Sequence, residues 1–279
     1  MSAAGSQLEG LISMVLGLEL PGATSSKVTT LRTRLLADLI SLGLTGGGST
    51  PSYSLQVFTA SGNYNPPAGL SSALIFVQGA GGGGGGLTSG GVNVFCVSSG
   101  GGGGGCSISL LSAATIGALQ VVTIGAGGIA GSVVPTNGGN GGDSSFGALI
   151  IGKGGSGGTL RAGSATGNLT VDRGLGGIAG TGNIKLVGGD GGTPIASQSG
   201  AAGGALGHGN GGFGGSSFFS NPQPGPILIN INASSNVNGL NGKLYGGGAT
   251  GAACISGDGP NSGGVGAAGI VIVFELNLI

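Results

Sequence analysis

Residues 81–86 read GGGGGG, and residues 100–105 read the same. Glycine has the most backbone freedom to lose on ordering, so such a run ordinarily marks a flexible tether. With 73 glycines in 279 residues, two outcomes are open. Either much of the chain never orders, or its backbone packs so closely that any side chain would obstruct it.

Composition decides against the first. Disordered chains combine low hydrophobicity with high net charge. Here 39% of residues are hydrophobic and only 6% charged, with 8 basic residues balancing 8 acidic ones. So few charges give little electrostatic means of staying dispersed. Much of the surface is therefore expected to be covered by partner subunits, or to be neutral and hydrogen-bonding. The lack of a basic run argues against nucleic-acid binding by phosphate neutralisation. No stretch of about 18 apolar residues is present, so no membrane insertion is expected. Residues 8–20, LEGLISMVLGLEL, follow no Lys or Arg and contain Glu9 and Glu19, the wrong pattern for a signal peptide.

Glycine does have an ordered option. In the polyproline II helix, with three residues per turn, every backbone N–H and C=O points sideways and none is bonded internally. A bundle of such helices can satisfy those groups in all directions. Collagen itself is excluded by only 10 prolines and the lack of a Gly-X-Y register. A polyglycine II bundle remains, its neighbours drawn from the same chain or from a sister chain.

The chain divides into 1–45, a helical attachment or oligomerisation segment; 46–53, a linker; and 54–279, a glycine-rich β domain. In the first part, 24–43 carries apolar residues at Val28, Leu31, Leu35, Leu39 and Leu42, spaced as a helical stripe. Ser25 or Ser26 can cap its start, and Gly43 can close its end. A helix of this length is marginal alone, so its stripe needs something to pack against. The β domain alternates glycine tracts with runs rich in Val, Ile and Phe. Strands are expected within 54–64, 71–81, 92–98, 107–111, 119–124, 148–151 and 269–278. The last should pair with an early one, closing a small β-sandwich whose glycine-rich parts are long polyglycine II-like excursions. The fold class expected is mainly β, preceded by a short N-terminal helical segment.

Motifs for chemistry are weak. GALIIGKG, 147–154, lacks the Ser/Thr of a phosphate-binding loop, and its intervening residues are apolar. GGNGGDSSF, 138–146, partly matches a calcium-binding nonapeptide, but Ser145 takes the large apolar position and tandem copies are absent, so Asp143 reads as a turn cap. His208, the one histidine, has no acidic or cysteine neighbours. Cys96, Cys106 and Cys254 have no metal-binding spacing and read as small buried hydrophobes. Cys96 and Cys106 flank a glycine run and would approach only if it folded back. No catalytic set, cofactor or metal is expected. Aromatics on glycine-supported loops suit sugar or protein contacts. Phe213, Phe218, Phe219, Asn221 and Tyr245 are accordingly the candidate contact residues, against the plainer reading that the aromatics plug gaps between glycine layers.

The string LQVFTASGNYNPPAGLSSALIFVQGAGGGGGG, 55–86, resembles the opening of the glycine-rich domain of bacteriophage tail-fibre and related virion proteins. VVTIGAGG (121–128), GGNGGDSSFG (138–147) and GGVGAAGIVIVFE (263–275) continue the resemblance in order across most of 54–279. It implies a non-enzymatic virion structural protein: a short tail fibre or fibre-tip adhesin, made in the host cytoplasm and carried on the tail. It also implies a homo-oligomer, a trimer foremost, attached through 1–45 to other tail proteins and contacting a host-surface glycan or outer-membrane protein. The alternatives are a collar, decoration or baseplate component without a receptor role, and a free-standing polyglycine II protein of the ice-binding kind.

Overall fold

A computed structural model of the chain describes residues 51–88, 95–132, 134, 136–160, 172–178, 180–199, 206–229, 235–255 and 260–278. The proposed attachment helix, with Val28, Leu31, Leu35, Leu39 and Leu42, lies outside them. The described residues fall into two units, one holding 51–54 and 276–278 and one lying within 55–275. In the first, Asn277 Nδ2 donates to Ser54 Oγ at 3.1 Å. The second holds the glycine tracts.

The described chain is mainly β, in several antiparallel sheets. Its helix is confined to α1 (Ala113–Ile116), capped by the Ser112 hydroxyl accepting from Thr115 N. A five-stranded sheet has the order β1 (Pro51–Phe58), β15 (Ile270–Leu278), β3 (Leu70–Gln78), β5 (Cys106–Ser112), β9 (Ile184–Leu186). The last strand of the chain thus lies beside early ones. A four-stranded sheet joins β2 (Gly62–Tyr64), β6 (Gln120–Thr123), β7 (Ser144–Phe146) and β8 (Ile150–Gly152) in sequence order. Alternation along these strands sends one set of side chains inward. Ile75, Val77, Val271 and Val273 from the larger sheet meet Tyr64, Val122, Phe146 and Ile150 from the smaller, with Ile116 of α1, in one fully buried core.

Strands leave this core as glycine runs. The runs are labelled g1 (79–87), g2 (98–105), g3 (125–132), g4 (136–143), g5 (153–160), g6 (173–178), g7 (187–192), g8 (211–216), g9 (238–243), g10 (246–252) and g11 (261–269). β3 runs on into g1, and g2 runs on into β5, with the strand register kept. Gln78 lies opposite Cys106, and beyond them Gly79, Gly82 and Gly85 donate to Gly105, Gly102 and Ser99.

At the other end of the runs are two smaller sheets. One pairs β10 (Ile195–Ser199), β11 (Leu206–Asn210) and β12 (Ile227–Ile229). The other has the order β13 (Ser235–Val237), β14 (Ala253–Ile255), β4 (Phe95–Val97). Val97, Ala196, Leu228 and Ala253 form a small core there. Five of these strands, β10 to β14, have no counterpart among the sequence expectations. They are three to five residues long, too short for a period-two pattern to stand out.

Candidate interaction surfaces of the glycine lattice

The hydrogen bonds of g1 turn through three directions with a period of three residues. Gly79, Gly82 and Gly85 donate to g2; Ala80, Gly83 and Gly86 to g4; Gly81, Gly84 and Leu87 to g11. In return its carbonyls accept from Gly128 and Gly131 of g3, Gly155 and Gly158 of g5, and Ala249 of g10. Three runs receive its bonds and three supply bonds to it, so g1 has six neighbours. Run g2 repeats the arrangement, donating to g5, g7 and g10 and accepting from g1, g6 and g8. The N···O distances from both runs are 2.8–3.2 Å. All these partners belong to the same chain.

The two polyglycine stretches are therefore the centre of a lattice. A Cβ on Gly83 would collide with the Ile129 carbonyl, and one on Gly102 with the Leu175 carbonyl. Residues 79–87 and 98–105 are buried throughout.

In several runs away from g1 and g2, side chains take over the acceptor role. Asn137, Asn140 and Asp143 of g4 stand three residues apart. Their Oδ1 atoms accept from Leu160 N, Gly157 N and Gly154 N of g5, each at 2.9 Å. Asn238 and Asn241 of g9 do the same for Ser262 N and Val265 N of g11, and Asp190 of g7 for Gly176 N. Asp143 is thus engaged with a neighbouring run, and also with Lys153 Nζ at 2.7 Å, rather than capping a local turn. Inside, the Ser98 hydroxyl fills one gap, accepting from Ala252 N and donating to Gly85 O.

Two of these acids are perturbed. The Gly176 N–H and then the Arg173 guanidinium hold Asp190 below the usual carboxylate range. At Asp143, burial works against the ionised form, but bonds from Lys153 and Gly154 outweigh it and lower the pKa. In the sheet core Tyr64 is raised, first by burial and then by the Glu275 carboxylate. Burial pushes the Cys106 thiol up to about 12. All three cysteines are buried thiols. Run g2 is extended, not folded back, so it separates Cys96 at one end from Cys106 at the other.

The candidate contact residues do not form one patch. Phe213, in g8, is 48% exposed, and its ring lies over Gly192 of g7. Phe218 and Phe219 follow at the sheet end, half-buried, their rings 5.0 Å apart edge-on and both against Phe76 of β3. Phe76 also meets Phe274 of β15 at 5.7 Å. Tyr245 joins this group through its carbonyl, which accepts from Ser217 Oγ, and Asn221 is exposed on the same loop as Phe218 and Phe219. Phe218 and Phe219 thus pack against Phe76 of the sheet while remaining half-buried.

Sequence reasoning missed the Asn/Asp rows. Their signal is visible in NGGNGGD, 137–143, as Asx residues at a spacing of three, the period of the hydrogen bonds around g1. No protein-family model and no curated protein sequence matches the chain.

Proposed function

We propose that the chain is a non-enzymatic structural protein of a bacteriophage virion, a short tail fibre or fibre-tip adhesin that contributes to host-surface recognition. In this reading the glycine runs are a polyglycine II bundle rooted in a small β-sandwich, and residues 1–45 form a helical attachment segment. The observation that carries the reading is the period-three lattice around g1 and g2. It is a hydrogen-bonded support with sheets at one end and a set of short strands at the other. Strands held by such a support are pre-organised, which lowers the entropic cost of binding.

The partners follow from surface chemistry. The described surface offers hydroxyl and amide groups with few charges, as suits a glycan or the outer loops of a membrane protein. Exposed aliphatic side chains on the lattice, Ile129, Leu175 and Ile178 among them, favour cover by sister chains in a homotrimer. Trimeric display would make weak contacts multivalent.

The test is adsorption of the purified protein to host cells, with and without residues 1–45, together with competition against infection. Binding by both forms and protection of the cells are expected. Failure of both to bind, with no effect on infection, would remove the receptor role and leave a collar, decoration or baseplate component. Sedimentation equilibrium gives the subunit count.

A further inference from the structure

We propose that Cys96 and Cys254 are a disulfide site, closed by a small-molecule disulfide oxidant, that locks the end of the lattice remote from the large sheet. The antiparallel register of β4 and β14 sets Cys254 directly opposite Cys96, as Val97 is opposite Ala253. Directly opposed residues of an antiparallel pair have Cα atoms about 4.5–5.5 Å apart. That interval falls inside the ~4.4–6.8 Å that a disulfide spans. The two side chains lie on one face of the sheet, fully buried in one cluster with Leu87 and Ala252. Cys106 is no competitor, because it faces Gln78 and Leu186 at the opposite end of g2.

Access comes from the position of β4. Among the described residues it is the outer strand of its sheet, so local opening of this edge admits an oxidant without global unfolding. With oxidised glutathione the step balances as two exchanges. One cysteine thiolate attacks a glutathione sulfur, forming a mixed disulfide and releasing one glutathione thiolate. The second cysteine thiolate then attacks the protein sulfur of that mixed disulfide, forming the Cys96–Cys254 bond and releasing the second glutathione. The protein loses two electrons and two protons, and the oxidant becomes two glutathione thiols.

The bond would extend a contact already present. Next to the two cysteines, Ser98 N donates to Ala252 O at 3.1 Å and Ser98 Oγ accepts from Ala252 N at 2.9 Å. Closing it ties the start of g2 to the end of g10. A cross-link enclosing so long a loop restricts the unfolded chain strongly.

The experiment uses the full chain, reduced and then exposed to oxidised glutathione, with a non-reducing peptide map after alkylation under denaturing conditions. A Cys96–Cys254 linked peptide is expected, with Cys106 alkylated, and Tm is expected to rise by about 5–10 °C. Cys106→Ser should keep both results, and Cys254→Ser should lose the rise. The proposal is overturned if wild-type Cys96 and Cys254 are both alkylated after oxidation. It is equally overturned if the link runs through Cys106 or between chains, or if it forms without a rise in Tm. The map of the wild-type protein decides the matter even where Cys254→Ser does not fold.

Discussion

Gly83 has no room for a side chain, because the Ile129 carbonyl of g3 occupies the place a Cβ would take. Its N–H meanwhile donates to Gly139 O of g4. Gly83→Val must push two runs apart and is expected to cost at least ~3 kcal/mol, beyond ordinary overpacking because backbone is what has to move. Gly62 in β2 is the control, since a Cβ there meets nothing. Gly62→Ala should stay within about 0.5 kcal/mol of the parent protein. Chemical denaturation of the two variants separates a packed glycine from a permissive one. The side-chain acceptors carry a different load. Asn140→Ala strips the acceptor from Gly157 N, and the expected loss is about 1 kcal/mol with faster exchange of the Gly157 amide. Asn140→Asp keeps the acceptor and should be much milder. Unchanged Gly157 exchange in Asn140→Ala would show that solvent serves the amide equally well.

At the scale of elements, each glycine run is stable only as one member of a set. A net gain near 1 kcal/mol per hydrogen bond does not exceed an ordering cost of ~1–2 kcal/mol per residue, so the runs depend on the strands that start them. The side-chain acceptors also bring in pH. Asp143 and Asp190 both have folded-state pKa values below those of the unfolded chain. Their contribution is therefore fully present above the unfolded carboxylate value near ~4 and is lost as pH falls through the folded values. Both ion pairs are substantially exposed, so the effect is modest. Thermal melts should be level from about pH 7 to 5 and decline below ~4. Asp190→Asn, which keeps an acceptor for Gly176 N, should remove part of that decline. A slope identical to that of the parent protein would show that Asp190 does not contribute.

For the glycine-rich unit as a whole, the buried sheet core and the lattice share strands, so they should unfold together. Phe146 is fully buried in that core, with its ring centroid 5.2 Å from that of Tyr64. Phe146→Ala should cost about 3–5 kcal/mol. It should also speed exchange of the g1 and g2 amides by the same free energy, although no glycine has been altered. Glycine amides that keep their protection in Phe146→Ala would mean that the lattice stands without the sheets.

The strand runs around β3, β5, β6 and β15 were legible because Val, Ile and Phe cluster there between glycine tracts. Phe218 and Phe219 were legible as aromatics on a glycine-rich loop, but their contact with Phe76 was not. Sequence spacing does not say which strand a loop returns to. The short strands β10 to β14 carry too few residues for a pattern.

From sequence alone it follows that this chain carries few charges, is too hydrophobic to be wholly disordered, and is rich in the residues that favour strands. Those properties are sums over residues and need no partners to be named. Only the tertiary structure decided that six runs of the same chain surround 79–87, and that Asn140 serves Gly157. It also decided that Cys96 faces Cys254 rather than Cys106. The physical reason is that a polyglycine run carries no side-chain information about its neighbours. The register of strands such as β3 and β5, set by their own side chains, selects the neighbours for it.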